Sequence, residues 1–271
     1  MDVTLRIFSL ATPLAYIGAT TAYGADFFWK MEWASAMKRP LLFLTAIVHL
    51  VYLHLLVAQS GYPPIASVFQ LMSTIAFTLL VAYVFIELST GVTETGFFAL
   101  SVALTFQLVS SWFIEDAPPS NENLKNPILA LHVVSALLGY GAMAIAGVYS
   151  LLYLMLLKQI QTNQFGILFE RLPNLELFEK MSYNAVLFGF FFLTVAFVAG
   201  AIWIPNSNIS LVDFKLIGTI VVWAVYGAGL LFRNRLALRG KRMAVMLISG
   251  FLFAFLSMTV LNFFSSRFHS Q

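Results

Sequence analysis

Long apolar runs alternate with short polar ones along the whole chain, and the runs set its architecture. Eight of them, at about 5–25, 40–59, 67–88, 96–114, 128–157, 182–204, 213–232 and 243–264, reach the roughly 20 residues that a helix needs to cross a bilayer. Each is expected to be a helix, because an open strand cannot satisfy its backbone in lipid. The pattern predicts an all-α, polytopic membrane bundle of about eight transmembrane helices. No repeat, low-complexity tract or linker divides it, so residues 1–271 form one domain.

The fifth run is the most informative. It opens on Asn126 and Pro127, residue types that suit the first turn of a helix, and no charge interrupts it before Lys158. Its length beyond a bilayer's need suggests tilt or an extension past the membrane. Stepping by three and four from His132 gives Ala136, Gly139, Met143, Ala146 and Ser150. This face of mostly small residues invites close approach by another helix or a flat ligand, and it turns His132 toward protein rather than lipid. Between spans five and six, residues 161–184 mix apolar and charged positions around Pro173. They read either as a short helix lying on the membrane surface or as a docking site for a soluble partner. Pro13 is the one proline the pattern places in mid-span.

Composition agrees and narrows the field. With 60% hydrophobic and 10% charged residues, the chain departs from the roughly 25% charge of soluble domains. The net charge of +3 gives no basic footprint for nucleic acid. With no cysteine, the protein forms no disulfide and supplies no thiol. The N-terminal run lacks a basic region before it and an A-x-A pattern after it, so it is kept as a span rather than a removed signal.

Charge sets orientation. Lys30, Lys38 and Arg39 lie between spans one and two; Lys158, Arg171 and Lys180 between five and six; Arg233, Arg235, Arg239, Lys241 and Arg242 between seven and eight. These loops are expected in the cytoplasm, and the loops around 61–64, 115–127 and 205–215 outside. Both termini then face outward, and His132 and His269 come to the same outer surface.

Four histidines carry the candidate chemistry. Imidazoles from two helices can clamp haem iron from both faces, and His132 and His269 share the right side. The alternative is that His132 only bonds a neighbouring helix and His269 belongs to a solvated tail. His49 and His54 in span two are five residues apart, about 140° of helix rotation, so they do not share one metal from one face. Each is either satisfied by a helix–helix hydrogen bond or a haem-iron or proton-relay site inside the bundle. Asp213 and Lys215 open span seven, as a solvated pair or, through Lys215, as an anchor for a haem propionate. Gly-rich phosphate loops, Ser-His-Asp sets and H-E-x-x-H are absent from the sequence, which gives no support for hydrolysis or nucleotide use.

Several stretches together carry a family resemblance. GFFFLTVAFVAGAIW, Gly189 to Trp203, is similar to a GFxxLTxxxxxGAxW pattern; LHVVSALLGYGAM from Leu131 to an LHV-x-x-x-x-x-Y-A stretch; PPIASVFQ at 63–70 to a degraded P-x-S-N-x-Y-E segment. Trp223-x-x-Tyr226 through Arg233, and Phe268-His269-Ser270, resemble W-x-x-Y…R and L-H-S-Y. In this order and spacing they resemble the cytochrome c assembly protein family, the haem-handling superfamily that includes CcsA and CcmC, and most closely its short YpjD and HemX-like branch. The resemblance covers roughly residues 40 to 271. It implies a multi-pass protein of the bacterial cytoplasmic (inner) membrane that binds b-type, non-covalent haem, with His132 and His269 as outward-facing ligands. Trp203, Asp213 and Lys215 are implied contacts for the cofactor. Partners would be lipid, haem, and other cytochrome c assembly components or a haem-biosynthesis enzyme.

The sequence also departs from the family. The tryptophan-rich W-x-W-D motif expected between Trp203 and Trp223 is missing, with only Asp213-x-Lys215 in place of D-P-K, and Leu231 stands where an intramembrane histidine is expected. Those departures point to an assembly factor or carrier rather than an enzyme that attaches haem. The alternative is a regulator or scaffold of haem biosynthesis that docks a cytoplasmic enzyme through 161–184 and the basic loop at 233–242.

Overall fold

The structure, a computed structural model, describes residues 3–112, 125–203, 214–231 and 239–253, with 214–217 described by backbone alone. Its helices are α1 (Val3–Trp29), α2 (Glu32–Ser60), α3 (Val68–Thr90), α4 (Gly96–Trp112), α5 (Pro127–Thr162), α6 (Ile167–Arg171), α7 (Leu175–Trp203) and α8 (Phe214–Leu231). A ninth, α9, runs over 241–253. Among the described residues there is no strand, and five helices (α1, α2, α3, α5 and α7) are long and apolar enough to cross a membrane. α4 and Gly218–Leu231 are shorter apolar helices. The chain is a polytopic membrane bundle.

Local chemistry sets the helix ends. Ser67 caps α3 by accepting from the Gln70 N–H at 3.1 Å, and Gln70 Oε1 reaches back to the Ala66 N–H at 3.2 Å, a reciprocal cap. Gly61 and Gly91 close α2 and α3 at φ 76° and 75°, where a side chain would be strained. α1 and α2 are joined by Lys30 and Met31 alone, with Lys30 at φ 52°.

Two helix starts differ from the sequence reading for one reason: a charged side chain that finds a partner can sit inside a helix near its end. α2 begins at Glu32 rather than near 40 and carries Pro40 within it, so Pro13 is not the one intrahelical proline. Lys38 bonds Asp26 at 2.5 Å and Thr93 Oγ1 at 2.8 Å, and Arg39 bonds Glu87 at 2.9 Å. α7 begins at Leu175 rather than 182, because Glu179 accepts from the Gly240 N–H at 2.6 Å. The region 161–184 is therefore the end of α5, the single turn of α6 and the start of α7. α5 runs to Thr162, five residues past the expected 157.

Packing divides the bundle into two linked groups. α1 pairs with α2 and α4, and α3 with α4; α5 and α7 form the most extensive pair, and α3 against α5 joins the groups. Tyr16, Tyr83, Tyr149 and Phe178 are buried where these helices meet. Leu10, Ile47, Leu88 and Phe191, all at least 60% exposed, face outward as lipid contacts require. At one end of the bundle Glu87, 2% exposed, accepts from Tyr23 at 2.6 Å and Tyr83 at 2.5 Å besides Arg39. These contacts, the shared cleft of Lys30 and Arg171, and the Glu179–Gly240 bond gather the described parts of the three basic loops at that one end. Arg233 and Arg235 lie outside the described residues.

Candidate functional site

At the opposite end, α5 starts where the sequence indicated. The Asn126 side chain accepts from the Ile128 N–H at 2.9 Å and the Leu129 N–H at 3.4 Å, and Pro127 takes the first position. His132 follows in the second turn. The small face then does what its residues allow: a Cβ on Gly189 would stand 3.0 Å from the Gly139 carbonyl oxygen, so α5 and α7 approach almost to backbone contact.

That approach decides the state of His132. Its Nδ1 lies 2.8 Å from the Ala196 carbonyl oxygen of α7. A carbonyl only accepts, so Nδ1 carries the proton and donates it, and in the neutral ring Nε2 keeps its lone pair. Metal-ligating histidines characteristically donate their second nitrogen in this way. Gly200, one turn beyond Ala196, makes the room: a Cβ there would stand 2.9 Å from Nδ1 and 3.1 Å from Cε1. Trp203 is seven residues past Ala196, about 20° from the same bearing, so it continues the α5-facing side of α7 outward and is half-buried there.

The other face of α7 carries α8. Trp223 lies between Phe190 and Phe197, with ring centroids 5.5 and 5.7 Å away and planes 22° and 15° apart, and its Nε1–H donates to Thr194 Oγ1 at 3.0 Å. Gly227 meets Phe190 as well, so the two helices run antiparallel. The α8 backbone therefore brings Lys215 in at the end of the bundle that holds Trp203 and His132. His269 and Asp213 lie outside the described residues.

His49 and His54 do part company, as their spacing requires: His49 is fully buried and His54 exposed. Both nitrogens of His49 are engaged, Nδ1 with Tyr16 Oη at 2.9 Å and Nε2 with Ser73 Oγ at 3.0 Å. Ser73 donates to Gln107 Oε1 at 3.0 Å, and Gln107 Nε2 donates to Ser111 Oγ at 3.0 Å. Ser73 thus accepts from Nε2–H and Nδ1 accepts from the tyrosine. This five-residue chain ties α1, α2, α3 and α4 together, and His49 would have to give up a bond to ligate a metal.

Sequence reasoning missed several participants. Tyr16, Ser73 and Gln107 were invisible because hydroxyl and amide residues are common in helices, and only His49 announced itself. Ala196 was missed because its contribution is a backbone oxygen. The buried Glu87 had a readable signal: a carboxylate closing an apolar run, with a tyrosine four residues before it.

Comparison with known proteins adds an independent line. The family model described as Cytochrome C assembly protein matches residues 34–269. A cytochrome c biogenesis protein CcsA of Guillardia theta is 25% identical over 233 residues, covering 78% of this chain and 77% of its own. A protein HemX of Bacillus subtilis (strain 168) is 22% identical over 273 residues and covers 99% of both chains. Another HemX, from Brevibacillus brevis, is 29% identical over 166 residues, 60% of each chain.

Proposed function

The chain belongs to the cytochrome c assembly protein family, and from that premise we propose that it carries haem, held by His132 and His269 at the outer end of the bundle. A role in cytochrome c biogenesis or haem handling follows from the family itself. The observation that supports the finer reading is the His132 Nδ1–Ala196 bond, which leaves Nε2 as the nitrogen that can ligate. The residues fit the group: a neutral imidazole is a good donor for haem iron, and half-buried Trp203 supplies a flat apolar surface beside it. His269 is the second ligand, and Lys215, near the start of α8 at the His132 end of the bundle, pairs with a propionate, with Asp213 beside it in sequence.

Haem here is cargo, b-type and non-covalent, because the chain has no cysteine to bond it. The protein is a carrier or assembly factor of the bacterial cytoplasmic membrane, not an enzyme. Any attachment to an apocytochrome uses thiols of a partner. What this chain contributes is a fixed tautomer, a fixed ring orientation and an apolar wall. Purified protein is expected to show a haem absorbance spectrum that changes its ligand signature in His132→Ala and His269→Ala. A wild type that takes up no haem, or a spectrum identical in both variants, would overturn the proposal.

A further inference from the structure

At the basic end of the bundle, opposite His132, an open cleft of about 480 Å3 lies among the α1–α2 turn, the α3–α4 turn and α6. Its lining includes Lys30 and Arg171 together with Glu32, Glu94 and Glu170. Asp26 also lines it, but Lys38 neutralises that carboxylate. Among the described residues neither Lys30 nor Arg171 forms an ion pair, and Arg171 Nη1 is buried with no hydrogen-bond partner. Nη1 sits behind the cleft surface, but the half-buried Arg171 side chain lines the cleft and its charge has no carboxylate partner among the described residues, which points to an anion that arrives from outside.

The two signs of charge decide what arrives. An anion alone would meet three carboxylates; a cation alone would leave Arg171 unsatisfied. A ligand with a phosphate and an ammonium answers both, since guanidinium pairs with phosphate and carboxylates accept from N–H. Depth decides its source. Trp29 and Trp33 flank the same turn at 69% and 51% exposure, and Ile167 and Phe169 are exposed on α6. Exposed tryptophans at helix ends mark headgroup level. We propose that this cleft binds the headgroup of phosphatidylethanolamine, with phosphate on Arg171 and Lys30 and ammonium on Glu32, Glu94 and Glu170.

The test uses the full chain in detergent micelles doped with phosphatidylethanolamine, phosphatidylcholine or phosphatidylglycerol, and reads the thermal unfolding midpoint. Ethanolamine lipid is expected to raise the midpoint. Choline lipid, whose ammonium has no N–H, and glycerol lipid, which has no amine, are expected to leave it unchanged. Arg171→Ala should require about tenfold more ethanolamine lipid for the same shift, with its midpoint in choline lipid unaltered. Should that variant fail to fold, Lys30→Ala, at an exposed position, takes its place with the same expectation. Equal shifts from all three lipids, or an undiminished ethanolamine response in the variant that folds, would overturn the site. Soluble phosphoethanolamine reproducing the full shift would overturn the membrane as the source.

Discussion

A single histidine shows how little a side chain's identity says about its chemical state. His132 was legible as a candidate because it interrupts an apolar run, but the partner that sets its tautomer, the Ala196 carbonyl, has no signature in residue identity. Gly200 tests that arrangement. Its substitution by valine forces the imidazole away, since even a Cβ would stand 2.9 Å from Nδ1. Gly200→Val is expected to weaken haem binding by about tenfold, the usual cost of losing a ligand's supporting bond, in a haem titration of folded protein. Unchanged affinity would show that the Ala196 bond does not prepare the ligand. His49 is the opposite case: equally polar in sequence, it spends both nitrogens within the bundle.

At the scale of elements, periodicity read the middles of helices well and their charged ends poorly. The small-residue face of α5 was visible in sequence and is the face that meets α7. The start of α2 was not, because Lys38 and Arg39 depress its hydropathy while their partners Asp26 and Glu87 lie 12 and 48 residues away. Glu87 is the pivot of that corner. Glu87→Ala leaves two buried tyrosine hydroxyls without their acceptor and frees Arg39, whose half-exposed side chain regains water. The expected loss is about 2–4 kcal/mol, read as a lower unfolding midpoint in detergent. A change within about 0.5 kcal/mol would mean that the carboxylate is not what holds α1, α2 and α3 together.

The whole molecule separates two ends: the described parts of three basic loops at one, His132 and Trp203 at the other. Positive charge favours the cytoplasm for the first. The chain lacks cysteine, so single cysteines report topology cleanly. Gln59→Cys is expected to react with a membrane-impermeant maleimide in intact cells, and Glu176→Cys only after permeabilisation. The reverse pattern would invert the protein and place the proposed haem site in the cytoplasm.

α5 joins the two ends as one unbroken helix of 36 residues, and Gly139 presses on Gly189 nearer its His132 end. A tilt of α5 against α7 would pivot at that close contact. His132 lies about 10 Å from it along the axis and the end of α5 at Thr162 about 35 Å on the other side. A rigid beam with those arms would turn a 1 Å shift at the histidine into about 3 Å at the Thr162 end, where Gln159 holds α6 through the Phe169 N–H. Spin labels at Thr162 and Glu176 are expected to report a distance change of that order when haem binds. An unmoved distance would mean that the beam is clamped along its length and that occupancy of the proposed His132 site is not signalled to the basic end.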